Sequence, residues 1–178
     1  SLGHPYPFFL SHPLQQAPET LGDVADWIVE WKWDGIRAQL VRRGGQTWLW
    51  SRGEELVTER FPEVVEAARG LPDGSVVDGE LLAWDAEKAL PLPFATMQRR
   101  IGRLKLGPKL LREAPVALLA FDLLEHDGAD IRGMPLALRR ARLEALVEPA
   151  MAGSLQLSPR IEAPDWNALA RLREESRG

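Results

Sequence analysis

The 178-residue chain has no cysteine, which excludes disulfides and thiolate metal sites. No apolar run approaches the length of a membrane span, and residues 1–10 lack the layout of a signal peptide. Internal repeats and low-complexity tracts are absent. Its histidines, His4, His12 and His126, show no metal-ligand spacing. Lysine is scarce, 4 residues against 18 arginines, and none follows Lys109. The net charge of −4 gives no general pull toward nucleic acid, so any such binding has to come from a local patch. The chain is long enough for one domain with a sizeable core, and its 45% hydrophobic and 27% charged residues are those of an ordinary globular protein. The expected compartment is the cytoplasm and the expected state a monomer. Since the first residue is Ser1, an excised domain is expected.

The pattern along the chain predicts strands in hairpins with helices inserted between them. Ser1 to Gly22 reads as an irregular entry segment rich in proline and polar residues. Trp27 to Trp33 reads as a strand, followed by Ile36 to Arg43 and its partner Gln46 to Arg52 across a Gly44-Gly45 turn. Phe61, Val64, Val65 and Ala68 fall at helical spacing, with Gly70 as the stop. Strands are predicted over Ser75 to Trp84, Val116 to Glu125 and Leu155 to Ile161, with an Asp127-Gly128 turn after the second. Helices are predicted over Phe94 to Leu104, Pro108 to Glu113 and Pro135 to Val147, the last with Leu136, Leu143, Leu146 and Val147 on one face. A final helix follows Pro164-Asp165, with Trp166, Leu169 and Ala170 as its apolar side. Regular βαβ alternation is absent. The expected fold class is α+β, mostly antiparallel sheet flanked by helices.

The segment Glu30-Trp31-Lys32-Trp33-Asp34-Gly35-Ile36-Arg37 stands out. Read as a strand, it turns Glu30 and Lys32 to one side and two indoles to the other, an arrangement that would hold a lysine in an enclosed site. There its pKa would fall and its amine could act as a nucleophile. The bare Lys-x-Asp-Gly motif has low specificity, and a surface lysine before a turn is the plain alternative.

Four segments in order carry more weight. The octapeptide, Ser51-Arg52-Gly53-Glu54-Glu55, Asp78-Gly79-Glu80 and Phe121-Asp122-Leu123-Leu124 resemble successive motifs of the adenylation (nucleotidyltransferase) domain of ATP-dependent DNA ligases. That superfamily also includes RNA ligases and mRNA capping enzymes. The resemblance implies an ATP-grasp-like fold and settings in DNA repair, replication and recombination. It implies that Lys32 attacks the α-phosphate of ATP, that Glu30 accepts a hydrogen bond from the adenine amino group, and that Trp31 belongs to the nucleotide site. By the same resemblance, Arg37 contacts the ribose or phosphate side, Glu80 the ribose hydroxyl and a Mg²⁺ ion, and Phe121 the adenine face. Asp34 and Gly35 shape the loop under the phosphates. Arg52 is implied as the contact to the 5′-phosphate of nicked double-stranded DNA, where a planar bidentate donor suits phosphate oxygens. Asp78 stays open between a solvated acid and a site residue. Glu54 and Glu55 are assigned no catalytic role.

The stretch Gln98 to Arg112 contains Arg99, Arg100, Arg103, Lys105, Lys109 and Arg112 and no acid, which points to a phosphate-backbone contact surface. Arg139, Arg140 and Arg142 read instead as a solvated helix face. The family's later motifs and its OB-fold domain are not found, so residues 1–178 are expected to be a partial adenylation domain, truncated at its C-terminal side, that forms lysyl-AMP weakly or not at all. An RNA ligase, a capping-type nucleotidyltransferase, a non-catalytic nucleic-acid-binding module and a purely structural domain remain the competing readings.

Overall fold

A computed structural model describes residues 2–9 and 12–176. The chain divides into two compact units, one of Ser1–Pro7 with Trp33–Ser158, the other of Phe8–Lys32 with Pro159–Gly178.

The first unit is built on a sheet whose strands, among the described residues, number eight. β1 (Ile36–Arg43) and β2 (Gln46–Ser51) form the expected hairpin, and Gly44 and Gly45 take the positive φ of 57° and 73° that their two-residue turn requires. β3 (Glu55–Leu56) continues the edge beyond β2, and α1 (Pro62–Ala68) follows. β4 (Ser75–Asp85) lies antiparallel to β1 on one side and to β6 (Val116–His126) on the other. Between β4 and β6 come β5 (Leu90–Pro91), α2 (Phe94–Ile101) and α3 (Pro108–Glu113). β7 (Ala129–Asp130), α4 (Leu136–Val147) and β8 (Leu155–Leu157) complete the unit. β8 pairs with β6 in parallel, so β6, α4 and β8 form one βαβ crossover inside an otherwise antiparallel sheet. The expected strand Leu155 to Ile161 stops short at Pro159, which has no N–H to donate.

Alternation along the strands separates the sheet's two faces. Ala38 and Leu40, Val77 and Leu81, and Leu118 and Ala120 face the main core, where they meet Val64, Met97, Leu143 and Val147 from the helices and Phe61 from the residue before α1. α4 turns Leu143 and Val147 inward, whereas Leu136, expected on that face, is 43% exposed. The opposite face carries two smaller apolar clusters, one of Leu82, Trp84, Ala117 and Leu119 with Trp33, the other of Val41, Val76 and Leu124 with Tyr6, Trp48 and Trp50. Arg100 is also turned inward. It is 1% exposed, gripped by Glu63 at 2.6 and 2.8 Å, and it donates to the carbonyls of Arg60 and Ala114. The expectation that Arg100 contacts DNA is therefore corrected: i,i+3 spacing puts it on the same buried face of α2 as Met97. Arg139 and Arg140 are corrected likewise. They are tied to Asp122 and to Glu144 with the Ser158 carbonyl, while Arg142 is exposed.

The entry segment is more ordered than its composition suggests. The Tyr6 backbone and the Gln39 side-chain amide exchange two hydrogen bonds at 2.8 and 3.0 Å, and Trp50 Nε1 donates to the Gly3 carbonyl. Arg43 reaches the carbonyls of Leu2 and His4 and both carboxylate oxygens of Glu125, to which the Tyr6 hydroxyl also donates at 2.6 Å. Arg132 and Arg43 lie over the Tyr6 ring at 4.4 and 5.7 Å.

In the second unit, 3₁₀ turns span Pro18–Leu21 and Val24–Asp26, the latter capped by Asp23. α5 (Trp166–Glu175) is capped by Asp165, whose side chain accepts from the Ala168 N–H, and Trp166 Nε1 donates to the Gly22 carbonyl at 2.7 Å. On α5, Trp166, Ala168, Leu169 and Leu172 are half-buried and Ala170 is exposed. The strand expected over Trp27 to Trp33 does not form. Trp27 closes the preceding 3₁₀ turn through its backbone N–H and sends its indole to the Leu21 carbonyl, and pairing along the segment reduces to one bridge between Glu30 and Arg160 with an Ile161 N–H bond to the Val29 carbonyl. Among the described residues no helix is long and apolar enough to cross a membrane.

Two outcomes follow from these contacts. Removing Arg100 strands Glu63 and opens a void in the core, so Arg100→Ala is expected to lower the unfolding free energy by about 3 kcal/mol in urea titrations. Arg103→Ala, at an exposed site, is expected to stay within about 0.5 kcal/mol of the parent; equal effects would contradict the assignment. Tyr6, the chain's single tyrosine, is pushed up from 10.0 to about 12, first by burial and then by Glu125. The stability contributed by its neutral form is complete below pH 10.0 and lost as the pH rises toward 12. Tyrosinate absorbance should show that high midpoint, falling toward the ordinary value in Glu125→Gln. An ordinary midpoint in both proteins would refute the clasp.

Candidate active site

The face of the sheet opposite the main core carries a polar strip between its two apolar clusters. Alternation brings Arg37 to this face from β1, and Asp78 and Glu80 from β4. β6 contributes Phe121 through an irregularity in pairing: Gly79 stands opposite Ala120 and Asp78 opposite Asp122, so Phe121 is the extra residue of a β-bulge. Bulges re-aim a side chain at the expense of ladder hydrogen bonds.

Arg37 is the hub of the strip. Its Nε and Nη2 donate to the two Asp78 oxygens at 2.8 and 2.5 Å, and its guanidinium lies 4.8 Å from the centre of the Phe121 ring. Asp78, left open by the sequence, is thus a buried ion-pair partner at 4% exposure. Burial pushes the Asp78 carboxyl above the usual aspartate value, and the nearby Asp122 adds to this, while Arg37 pulls it down without fully offsetting the burial. Burial alone would lower the Arg37 pKa; Asp78, with Glu80 and Asp122 close by, holds it above the ordinary arginine value instead.

Glu80, register partner of Arg37, is half-buried. Burial raises its pKa, against the lowering effect of Arg37 and of the Gly35 N–H that it accepts. Gly35 is required by close approach: a Cβ there would lie 2.2 Å from the Leu81 carbonyl oxygen and 3.2 Å from Glu80 Cγ. The glycine of the Lys-x-Asp-Gly motif therefore seats its turn directly on Glu80–Leu82. Arg52 lies in the turn after β2, its backbone N–H on the Arg37 carbonyl at 3.2 Å and its side chain exposed.

Arg37, Glu80 and Phe121 are thus brought together on one face of one unit, with the turn of Arg52 joined to it. Glu30, Trp31 and Lys32 belong to the other unit, where Glu30 forms the bridge to Arg160, Trp31 is half-buried and Lys32 is exposed. The enclosure expected for Lys32 from strand alternation is not seen, because the strand that would create it does not form. Arg99 is exposed and paired with Glu113 at 3.1 Å, and Arg103 is exposed on the turn after α2. An open pocket of about 450 Å³, lined by Pro62, Glu63, Trp84 and Leu111 among others, includes none of these residues.

Sequence reasoning missed the pair formed by Asp122 and Arg139. Arg139 Nε and Nη2 donate to the Asp122 oxygens at 2.9 and 3.2 Å, and its Nη1 to the Met134 and Arg132 carbonyls. The available signal was the placement of Asp122 next to Phe121, opposite a second acid. Among the described residues no group of three His, Cys, Asp or Glu side chains is placed to hold a metal ion.

Residues 8–178 match the model of the ATP dependent DNA ligase domain. A probable DNA ligase of Koribacter versatilis is 33% identical over 162 residues, covering 91% of this chain and 28% of its own length. A probable DNA ligase of Opitutus terrae is 42% identical over 148 residues, covering 82% of this chain and 14% of its own. The DNA ligase of Aeropyrum pernix is 36% identical over 152 residues, covering 83% and 25%. Among solved structures, a mycobacterial DNA ligase D complexed with ATP superposes with a TM-score of 0.66 at 31% identity, over 86% of this chain and 46% of that one. The chain thus spans less than a third of the length of these curated relatives. The match over nearly the whole sequence, together with the α+β sheet that carries the motif residues, shows that this chain belongs to the ATP-dependent DNA ligase domain family.

Proposed function

We propose that this chain supplies the nucleotide-binding and nucleophilic residues of a DNA ligase that takes AMP from ATP and passes it to the 5′-phosphate of nicked double-stranded DNA. The observation that carries the reading is the convergence of Arg37, Glu80 and Phe121 on one sheet face, in a chain of the ligase family.

In the proposed reaction the neutral amine of Lys32 attacks the α-phosphorus of ATP. A nitrogen–phosphorus bond forms, the bond to pyrophosphate breaks, and the amine sheds a proton. Phe121 offers its ring to the base, and Glu30 accepts from the adenine amino group, which selects the base where stacking alone does not. Glu80 meets the ribose. Arg37 neutralises charge on the ribose or phosphate side, with Trp31 flanking the site. A magnesium ion would neutralise developing charge on the phosphates. Among the described residues no group of three acids is placed to hold a metal, so the half-buried Glu80 carboxylate would be this chain's ligand to an ion held mainly by the triphosphate. The nick 5′-phosphate falls to Arg52, and duplex backbone to Arg99 and Arg103 with Lys105 and Lys109.

A version extended to the length of the DNA ligase relatives, incubated with radiolabelled ATP and Mg²⁺, is expected to take an acid-labile AMP label that Lys32→Ala abolishes. Label that survives Lys32→Ala, or no label at all, would contradict the reading. Binding of nicked duplex by that version should weaken in Arg99→Ala/Arg103→Ala, with the slope of log affinity against log salt smaller by about two. Arg142→Ala, at an exposed arginine of α4, should change neither. An Arg142 effect as large as that of the pair would remove α2 and its turn from the DNA surface.

A further inference from the structure

Asp78 and Asp122 stand directly opposite each other on β4 and β6. Like charges in that relation destabilise a sheet. Here each carboxylate is held by its own arginine in a two-bond grip, Asp78 by Arg37 and Asp122 by Arg139. The two pairs differ in what else they touch. Arg37 comes from β1 and covers the Phe121 ring. Arg139 comes from the first turns of α4, anchors on the Met134 and Arg132 carbonyls, and never reaches the strip's other members directly. Asp122 is also the residue that follows the bulge, and its Oδ1 accepts its neighbour's N–H, that of Leu123, at 2.8 Å.

We infer that Arg139 is a positioning residue for the nucleotide face. By holding Asp122 it fixes the bulge that presents Phe121, and it keeps Asp122 from competing with Asp78 for Arg37. Without Arg139 the Asp122 carboxylate is left half-buried and unneutralised, and Arg37, which already feels its charge, is the cation it then pulls on. Its guanidinium would be drawn off Asp78 and off the Phe121 ring. The harm comes from the stranded charge and not from lost volume. Neutralising Asp122 should therefore undo it, which a packing role for Arg139 does not predict. The effect on nucleotide binding rests on the reading of this face as an ATP site; the effect on Arg37 does not.

The test uses the full chain, with Arg139→Met and Arg139→Met/Asp122→Asn. The Arg37 Nε–H resonance, assigned by its loss in Arg37→Lys, should carry a ring-current shift from Phe121 in the parent chain. It should lose that shift in Arg139→Met and regain it in the double variant. ATP should bind about tenfold more weakly to Arg139→Met, the loss of one base–aromatic stack, and recover in the double variant. An Arg37 resonance that keeps its ring-current shift in Arg139→Met, or a double variant that behaves like the single one, would overturn the inference. If Arg139→Met does not fold, the double variant decides: folded with Arg37 ring-shifted supports the inference, misfolded or unshifted overturns it. If the resonance follows the expected pattern but the parent chain does not bind ATP, the positioning role stands and the nucleotide-site reading falls.

Discussion

The opposition of Asp78 and Asp122 across two central strands is the constraint around which this sheet face is organised. Two carboxylates in that register can coexist under cover only if each is neutralised, and both partners are arginines that spend two donors on one carboxylate. One of them, Arg37, thereby becomes rigid. A guanidinium locked to a buried acid is a fixed positive charge, and it is fixed over the one aromatic ring that the β6 bulge pushes out of the ladder. The polar strip is thus assembled by the fold itself. It lies between two apolar clusters that seal the same face on either side, with Trp33 and Trp84 edge to face on one and the docked Tyr6 segment on the other.

Carboxyl groups in this strip feel burial more than they feel their cations. Asp78 and Glu80 both sit above their ordinary pKa values in spite of Arg37, whereas Glu125 ends below its own because Arg43 and Tyr6 together outweigh burial there. A half-buried glutamate with a raised pKa, backed by the N–H of a glycine that nothing larger could replace, suits a group meant to exchange its partner. The Glu125 clasp, lower in pKa and saturated by donors, suits a permanent fastening.

Much of this was legible in the sequence because it was local. The Gly44-Gly45 turn, α1 before Gly70, α3 at Pro108–Glu113 and the capped α5 all rest on chemistry within a few residues. The face-sharing of Asp78 and Glu80 follows from period two alone. What was not legible was long-range pairing. Trp27 lies in a β-rich run but closes a 3₁₀ turn, and the run that follows makes only an isolated bridge and no strand. Arg100 and Arg103 look alike in a basic stretch, yet one is in the core because Glu63 comes from α1 to meet it. Arg139 is held by an acid 17 residues away, and Tyr6 is joined to the sheet through an amide 33 residues away. The crossover from β6 through α4 to β8 was hidden by the shortness of β8. The motif residues themselves were found as an ordered set, and of these Arg37, Glu80 and Phe121 share one face.

The central claim is that the ring of Phe121, presented by the bulge and guarded by Arg37, receives the adenine base of ATP. Saturation-transfer NMR on the chain with ATP tests this most directly, because it detects weak binding and reports which ring is touched. Irradiating the phenylalanine ring protons should transfer saturation to the adenine protons, and Phe121→Leu should abolish the transfer while the protein stays folded. Transfer that is undiminished in Phe121→Leu would contradict the account.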